Sequence, residues 1–426
     1  MNHENAFEMT TSQVRFGPGV TREVGMDLAG LGARSALVVT DPRLSRMIPV
    51  LTVLDSLEDH GIPFSVYDRV RIEPTDESFQ DAIAFARRGS YDAFVAVGGG
   101  SSIDTAKAVN LYCAYPPADF LDYVNPPIGK GLLVPGPLKP LIAVPTTAGT
   151  GSETTGVAIF DLSRMHAKTG IASRRLRPLL GLLDPENTRS LPPQVAASTG
   201  LDVLSHALES YTALPFDKRP YPQRPALRPA YQGSNPISDV WSLQALRMVS
   251  QYLVRAVEDP ADEEARAQML LAASYAGIGF GNAGVHLPHG MSYAVSGMVR
   301  DYHAEGYPRD HALLPHGFSV VLNAPAVFRF TSPACPQRHL EAAAALGADV
   351  SRCQAEDAGK VLADRILWLM RRLKTPNGLQ EVGYTASDIP RLVDGTLPQH
   401  RVTKLSPRPA GSEELSCLFE AALKGW

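Results

Sequence analysis

The feature that most constrains the fold is an alternation of short, valine-rich apolar runs with helical segments over the first 185 residues. Apolar runs of strand length lie at 35–41, 63–70, 92–100, 140–147 and 179–185. Helical patterns separate several of them, the clearest being the amphipathic segment "DESFQDAIAFARRG". Uniformly apolar strands that alternate with helices indicate a mainly parallel sheet covered on both faces. Ligands bind such sheets at the carboxyl ends of the strands.

The pattern changes to helices after about Asp184. The segments 192–212, 236–259 and 262–280 have helical periodicity, and no strand pattern of comparable clarity returns. We therefore predict an α/β domain over residues 1–188 followed by an all-α domain over residues 189–426. Two domains also suit a chain of 426 residues, because a single hydrophobic core rarely grows that large.

Composition argues against several classes of partner and location. A net charge of −4 and a pI near 6.3 give no reason to expect nucleic acid or an anionic membrane surface as a partner. No uninterrupted run of 18 apolar residues occurs, so we expect no transmembrane helix. The first residues, "MNHENAFEMTTSQ", lack the apolar core of a signal peptide, and the four cysteines form no CxxC pair. We therefore expect a cytoplasmic protein with reduced thiols.

Two loops rich in small residues follow strand-like runs, "VGGGSSIDTAK" at 97–107 and "PTTAGTGSE" at 145–153. Glycines let backbone N–H groups approach a ligand, and a helix start favours an anion such as pyrophosphate. The alternative is a turn that needs glycine only for packing. Two such loops at one edge of a sheet favour a dinucleotide site, although the usual GxGxxG motif is absent. Asp41, at the end of the first strand, would either accept hydrogen bonds from a ribose or cap the turn before Pro42.

A second set of residues has the chemistry of a metal site. Asp202 and His206 are four residues apart in a helical pattern, hence on one face. The tetrapeptide "LPHG" occurs at 287–290 and again at 314–317, each time among apolar residues. One carboxylate and three imidazoles suit a divalent ion such as Fe²⁺ or Zn²⁺. The pattern alone is equally compatible with a surface hydrogen bond and core histidines.

Taken together, the motifs carry a family resemblance. "GGGSSIDTAK", "PTTAGTGSE", "DPENTRSLPP", "STGLDVLSHALESY", "HGMSY" and "LPHG" occur in an order that resembles the iron-containing (group III) alcohol dehydrogenase family. "RPAYQGSNPISD", "GIGFGNAGVHLPHGMSY" and "GTLPQHRVTKLSP" are most similar to its hydroxyacid–oxoacid transhydrogenase branch. The resemblance implies a dehydroquinate synthase-like architecture, with a nucleotide-binding α/β domain, a helical domain and an active site in the cleft between them.

The resemblance also implies the roles of individual residues. The implied metal ligands are Asp202, His206, His289 and His316. The implied contacts to NAD are Asp41, Gly98, Gly99, Gly100, Ser101, Asp104, Thr146, Thr147, Ser152 and Lys168, with Leu191 nearby. Tyr293 stands where many family members have a second histidine near the nicotinamide, so we expect it at the catalytic site. The position of His286 leaves open whether it supports the metal site or belongs to the core.

The activity that the resemblance implies is hydride transfer between a small hydroxy acid or alcohol and a nicotinamide cofactor, assisted by a divalent metal ion, Fe²⁺ or alternatively Zn²⁺. The substrates would be 4-hydroxybutyrate and 2-oxoglutarate. The alternatives are a general NAD-dependent alcohol dehydrogenase for uncharged primary alcohols and a non-catalytic scaffold. Motifs of the related glycerol-1-phosphate dehydrogenases and dehydroquinate synthases are not seen. We also expect a homo-oligomer, with a dimer as the working assumption.

A carboxylate substrate needs a cationic or hydrogen-bonding anchor. The proline-rich loop 214–235 offers four candidates, Lys218, Arg219, Arg224 and Arg228. The alternative is that these side chains only form a solvated basic surface.

Overall fold

The computed structural model describes residues 3–165, 167–223 and 225–426. The chain forms two compact units, which we call the α/β unit, Thr10–Leu191, and the helical unit, Met1–Met9 with Pro192–Trp426. The boundary after Leu191 lies three residues beyond the expected one. The first nine residues group with the helical unit, whereas the sequence pattern had placed them with the α/β domain.

In the residues that the structure describes, the α/β unit contains eight strands and four α-helices. The strands are β1 (Gln13–Phe16), β2 (Ala36–Val39), β3 (Phe64–Tyr67), β4 (Ala93–Gly98), β5 (Leu141–Pro145), β6 (Val157–Leu162), β7 (Ala167–Ala172) and β8 (Leu180–Leu183). The helices are α1 (Val24–Gly30), α2 (Ile48–Asp59), α3 (Asp76–Ala86) and α4 (Gly100–Ala114). The start of α3 shows how the sequence fixes an element: Thr75 and Ser78 form a reciprocal capping box there.

Six of the strands form one parallel sheet in the order β1-β8-β5-β4-β2-β3. The predicted mainly parallel sheet is therefore confirmed. The chain leaves β2 for β3 and then returns to β4 on the other side of β2, so the strand order reverses between β2 and β4. Ligands bind at the carboxyl ends of strands at such a reversal. A separate antiparallel hairpin, β6–β7, was not predicted.

The core of the α/β unit lies on both faces of the sheet, as the uniformly apolar strands require. Along β2, Leu37 and Val39 pack in the cluster that includes side chains of α3 and α4. Ala36 and Val38 alternate with them and pack in the cluster that includes side chains of α1 and α2. The central strands are thereby held rigid, and their carboxyl ends are fixed relative to one another.

The helical unit contains eleven α-helices in the described part of the chain. They are α5 (Pro193–Thr212), α6 (Pro236–Glu258), α7 (Glu263–Ala283), α8 (Leu287–Gly297), α9 (His316–Val321), α10 (Ala324–Thr331), α11 (Pro336–Ala345), α12 (Ala358–Arg372), α13 (Ile389–Thr396), α14 (His400–Thr403) and α15 (Ser412–Ala422). The three long helices α5, α6 and α7 pack on one another, as their sequence periodicity predicted. The helical second domain is thus confirmed.

The N-terminal residues join the helical unit through specific contacts. Glu8 N–H donates to the side chain of Gln232, which donates back to the carbonyl of Glu8. Phe7 packs edge-on against Phe216, 4.9 Å between ring centroids. These contacts explain why the α/β unit begins at Thr10. Among the described residues, no helix has both the length and the apolar character needed to cross a membrane.

Candidate active site

Helix α5 brings three ionisable side chains to one buried face. Asp202, His206 and Glu209 lie at positions i, i+4 and i+7, so they stack on the same side of the helix. Each is at most 4% exposed. Buried carboxylates and imidazoles need charged or hydrogen-bonding partners. The groups that contact these three side chains therefore determine their chemical role.

Helices α8 and α9 supply the other two predicted ligands. His289 lies in the first turn of α8, and His316 is the first residue of α9. The glycine after His316 permits the approach of α9 to α5: a Cβ on Gly317 would lie 1.9 Å from the carbonyl oxygen of Ser198. The glycine of the second "LPHG" is therefore required for packing. The close approach of α9 that it permits places the imidazole of His316 beside Asp202.

The structure brings the four predicted ligands together around one oxygen atom. Asp202 Oδ1 lies 3.7 Å from His206 Nε2 and 3.6 Å from His289 Nε2. It lies 3.8 Å from His316 Nε2. These separations exceed a hydrogen bond. They are close to the roughly 3.4 Å edge of a tetrahedron whose corners are ligand atoms about 2.1 Å from a central ion.

Buried polar atoms at this cluster have no hydrogen-bond partner in the described structure: Asp202 Oδ1, His289 Nε2 and His206 Nδ1. A buried acceptor without a partner costs on the order of 1–3 kcal/mol, so such groups in a native protein call for an explanation. Ligand atoms of Asp202, His206 and His289 all lie within 4.8 Å of one another. The donor set therefore fits a divalent metal ion of the Fe²⁺ or Zn²⁺ type.

The electrostatics of the cluster agree with this fit. Burial alone would raise the pKa of Asp202, but the three facing imidazoles hold it well below its usual range. Burial lowers the pKa of His206 to about 3, so this imidazole is neutral at pH 7 and keeps a lone pair for an ion. Burial would also lower the pKa of His289, but Glu209 and Asp202 raise it to about 10. A cation at Nε2 would take the place of one His289 proton.

Glu209 is a functional residue that sequence reasoning missed. Its Oε1 lies 2.5 Å from His289 Nδ1, and its Oε2 accepts the backbone N–H groups of His286 and His289. The carboxylate thus fixes both the start of α8 and the orientation of the His289 ring, with Nε2 directed to Asp202. Outer carboxylates of this kind fix the tautomer of ligating histidines. The available signal was its position seven residues after Asp202.

Tyr293 and His286, which lie close to His289 in the sequence, have different surroundings. Tyr293 is buried, its ring is nearly parallel to that of His316 at 6.5 Å, and its hydroxyl accepts a hydrogen bond from Arg401 Nη2. His286 lies 3.0 Å from Thr212 Oγ1 through Nε2. Its ring packs on Phe328 in the helical core. His286 therefore belongs to the core and not to the ligand set.

The predicted nucleotide-binding residues collect at one edge of the α/β unit. Asp41 lies two residues beyond β2, the three glycines Gly98, Gly99 and Gly100 join β4 to α4, and Thr146 and Thr147 follow β5. The register pairs Gly98 with Pro145, and Thr146 N–H donates to the carbonyl of Gly98. Helix α4 starts without a side-chain cap. Its first N–H groups are thus directed to this edge at the strand-order reversal.

Asp41 also has the second role that the sequence left open. Its Oδ1 accepts the backbone N–H groups of Arg43 and Leu44, at 2.9 and 3.0 Å. It therefore caps the turn after β2. This contact occupies one carboxylate oxygen and does not by itself decide whether Asp41 also binds a ribose.

Asp104 and Ser152 are joined in a network around Lys107. The Lys107 ammonium donates to Ser152 Oγ at 2.6 Å and to the carbonyl of Val157 at 2.7 Å. It also pairs with Asp104 at 3.3 Å, and the second oxygen of Asp104 accepts from Ile159 N–H. Sequence reasoning did not single out Lys107. The network ties the two small-residue loops together, and so positions the edge.

Three further predicted contacts lie in the same unit. Ser101 Oγ accepts from Glu73 N–H at 3.2 Å, and Lys168 pairs with Glu73 at 2.5 Å and with Asp161 at 3.3 Å. Burial would lower the pKa of Lys168, but the two carboxylates raise it. Leu191 is the last residue of the unit.

Three of the four candidate cations in the loop 214–235, Lys218, Arg219 and Arg228, lie within the described residues. Arg228 forms a two-pronged ion pair with Glu4, so its charge is compensated within the unit. Lys218 is exposed at the surface. Arg224 lies outside the described residues. A substrate anchor composed of these four side chains stays a prediction.

Comparison with known proteins places these features in a family. Residues 11–185 match the family described as iron-containing alcohol dehydrogenase. Residues 230–423 match the C-terminal part of the Fe-containing alcohol dehydrogenase family. Together the two matches cover most of both units.

Full-length relatives carry the name that the branch resemblance predicted. The mitochondrial hydroxyacid-oxoacid transhydrogenase of Xenopus laevis is 61% identical over 98% of this chain and 91% of its own length. Its human counterpart is 59% identical over 98% of this chain and 90% of its own length. These names make the predicted cytoplasmic location wrong. That prediction depended on the composition of the first thirteen residues and on the spacing of the cysteines, and neither feature excludes a mitochondrial protein.

Solved structures share the architecture. A 1,3-propanediol oxidoreductase superimposes with a TM-score of 0.85 at 27% identity and covers 98% of this chain and 100% of its own. Sulfoacetaldehyde reductase from Bifidobacterium kashiwanohense, in complex with NAD⁺, gives 0.79 at 26% identity over 99% of each chain. With the predicted architecture confirmed and both halves matched, the chain belongs to the iron-containing alcohol dehydrogenase family of oxidoreductases.

Proposed function

We propose that this protein is a metal-dependent hydroxyacid–oxoacid transhydrogenase. It would oxidise a small hydroxy acid such as 4-hydroxybutyrate and reduce a 2-oxo acid such as 2-oxoglutarate through a nicotinamide cofactor. The observation that carries the proposal is the convergence of Asp202, His206, His289 and His316 on one carboxylate oxygen. Two of the atoms there, Asp202 Oδ1 and His289 Nε2, are buried and have no hydrogen-bond partner in the described structure. The names of relatives about 60% identical support the choice of substrates.

The proposed reaction needs no side-chain nucleophile. A bound divalent metal would supply a Lewis acid that lowers the pKa of the substrate hydroxyl, and a bound nicotinamide would accept and return the hydride. The chain's own part is to hold and orient: Glu209 fixes the His289 ring, and burial of Asp202 and His206 keeps water from their ligand atoms. We propose Tyr293, held by Arg401, as the hydroxyl nearest the substrate.

The exchange balances without an external oxidant. The hydroxy acid loses a hydride from carbon and a proton from oxygen, which gives succinic semialdehyde. The oxo acid gains a hydride at its carbonyl carbon and a proton at oxygen, which gives 2-hydroxyglutarate. The cofactor returns to its starting state.

We propose NAD as that cofactor and Fe²⁺ as the ion. The support for NAD is the position of Asp41 and the glycine loop at the strand-order reversal, together with the NAD⁺ in the related sulfoacetaldehyde reductase. A free carboxylate oxygen at Asp41 would repel the 2′-phosphate of NADP. The support for Fe²⁺ is the family name, because imidazole and carboxylate accept either ion.

The deciding experiment mixes purified protein, 4-hydroxybutyrate and 2-oxoglutarate without added nucleotide, and measures both products. We expect succinic semialdehyde and 2-hydroxyglutarate in equal amounts. Turnover only with added NAD, and equally fast on uncharged alcohols, would instead assign a general alcohol dehydrogenase. Bound metal and NAD without turnover on either class would assign a scaffold. The homo-oligomer stays a prediction, which light scattering on the purified protein tests.

A further inference from the structure

Arg401 in α14 is a cation with no carboxylate partner among the described residues. Its Nη2 donates to the Tyr293 hydroxyl at 2.9 Å, and its guanidinium lies 5.0 Å from the centre of the Tyr231 ring. Its Nη1 is shielded from solvent and has no hydrogen-bond partner in the described structure. A buried guanidinium normally obtains a carboxylate or several carbonyl acceptors, because an unpaired buried donor is costly.

Two other arginines of the helical unit form ion pairs with carboxylates. Arg228 pairs with Glu4, and Arg338 pairs with Asp239 at 2.7 Å. No such ion pair is found for Arg401 within residues 3–165, 167–223 and 225–426. Lys404 lies close enough to Arg401 for the two cations to interact: burial and the nearby cations Arg219 and Arg401 lower the pKa of Lys404. An anion supplied from outside the chain would complete this arrangement.

Arg401 is also tied to the metal ligands by two aromatic contacts. The Tyr293 ring lies 6.5 Å from that of His316. On the other side, the Tyr231 ring lies 6.4 Å from Phe280, which stacks on His206 at 3.9 Å. The unpaired Nη1 is therefore in the immediate environment of the candidate metal centre.

The glycine after His289 makes this placement possible. A Cβ on Gly290 would lie 2.6 Å from Thr403 Cγ2, so only a glycine lets α14 pack this closely on α8. The first "LPHG" thus places a metal ligand and admits the helix that carries the cation. The same short segment therefore positions both His289 and Arg401.

We propose that Arg401 binds the carboxylate of the substrate and so selects hydroxy acids over uncharged alcohols. The inference rests on the proposed function and names an anchor outside the loop 214–235. Guanidinium and carboxylate match in geometry and form strong charge-assisted hydrogen bonds. Because both substrates of the exchange carry a carboxylate, one arginine can serve the hydroxy acid and the oxo acid in turn.

The test compares 4-hydroxybutyrate with its neutral isostere 4-hydroxybutyramide in the metal-loaded wild type and in Arg401→Gln. We expect Arg401→Gln to raise KM for the acid by about 10- to 100-fold, the usual worth of a hydrogen bond to a charged group. KM for the amide should change by less than about 3-fold. Arg401→Lys keeps the charge and should recover part of the loss. Calorimetric binding of 4-hydroxybutyrate gives the same comparison without turnover.

The matched control is Arg408→Gln, which removes an arginine that also lies over an aromatic ring, Phe330, at 4.2 Å. It should leave both KM values unchanged. Metal content and thermal unfolding show whether each variant is intact.

The outcomes separate the inference from the function on which it rests. An equal loss for acid and amide in Arg401→Gln, with metal retained, would make Arg401 a support for Tyr293 and overturn the proposal. A wild type that binds the amide as well as the acid would also overturn it. If the wild type needs added NAD but Arg401→Gln still loses the acid selectively, the anchor stands and the transhydrogenase assignment fails.

Discussion

The two units each bury a cluster of charged side chains, and the clusters differ in how far they are satisfied. In the α/β unit, Lys107, Asp104 and Ser152 are bonded to one another and to backbone groups. In the helical unit, Asp202 and His289 face each other with atoms that have no hydrogen-bond partner in the described structure.

A closed network is complete without a ligand, and it rigidifies the fold. An open network, one with buried polar atoms that lack hydrogen-bond partners, lowers the stability of the fold unless a ligand binds to those atoms. The comparison therefore assigns a structural role to the Lys107 cluster and a binding role to the Asp202 cluster, although both consist of buried charged groups. The predictions below test that distinction by removing one member at a time.

The largest effect should follow from His206→Ala. Loss of one of four ligands should abolish metal retention and lower hydride transfer at least about 1000-fold, because a metal supplies several kcal/mol of charge stabilisation. The fold should persist, since the lost imidazole atoms form no network. Elemental analysis and the two-product assay measure the result. A folded, metal-free and fully active His206→Ala protein would refute the ligand assignment.

Lys107→Met tests the closed cluster. It removes the cation opposite Asp104 and should lower the free energy of unfolding by about 3–5 kcal/mol, as breaking a buried ion pair usually does. Metal content per folded chain should stay unchanged. Urea denaturation with elemental analysis measures both quantities. If the substitution removed the metal while stability held, the division between the two clusters would be wrong.

The sequence predicts most of the parallel sheet because its strands are buried on both faces and so read as uniform apolar runs. β1 was not predicted: its residues, "QVRF", are mostly exposed at the sheet edge and mix polar with apolar side chains. The hairpin β6–β7 was also missed, since its strands lack the uniform apolar character of the central ones. Propensity and periodicity carry little information about such elements.

The same limit applies to the site. The four candidate ligands could be named because Asp202 and His206 share a helical face, "LPHG" repeats, and the motifs resemble the iron-containing alcohol dehydrogenase family. Arg401 could not, because it meets Tyr293 across 108 residues of sequence and no local spacing records that contact. Glu209 was missed for a related reason: on its own, a glutamate in a helix is usually exposed.

Glu209→Gln tests the link between the open cluster and its support. The amide keeps an acceptor but loses the charge that holds His289, so the affinity for the metal should fall about 10- to 100-fold. Competition with a chelator measures that affinity. Glu341→Gln serves as control, because Glu341 bonds Tyr211 and not a ligand histidine. If Glu209→Gln left the metal affinity unchanged, the role of Glu209 would be limited to accepting the backbone N–H groups at the start of α8.

Asp41 has one structural role and one proposed binding role. Its Oδ1 accepts hydrogen bonds from the turn after β2, and its charge is proposed to select NAD. Asp41→Asn keeps an oxygen for the cap but removes the charge, so it should narrow the preference for NAD over NADP about 10-fold without loss of stability. Asp41→Gly should narrow the preference and also lose the cap. The kcat/KM values with the two nucleotides measure it. A wild type that uses NADP as well as NAD would show that Asp41 only caps.

The smallest effect concerns a second closed pair, Glu4 with Arg228, which holds the N-terminal segment on the helical unit. The hydrogen bond from Arg228 outweighs burial and lowers the pKa of Glu4 below its usual 4.5. Since the folded pKa is depressed, the stabilisation is present above about pH 4.5 and is lost as the pH falls through the lowered value.

Glu4→Gln should therefore destabilise the protein by up to about 1 kcal/mol at pH 7, because solvent partly screens such a pair. The difference from the wild type should shrink as the pH falls below about 4, where the wild-type carboxyl gains its own proton. Urea denaturation at several pH values measures the trend. A difference that stays constant down to pH 3 would mean that packing of the segment, rather than the charge of Glu4, holds it in place.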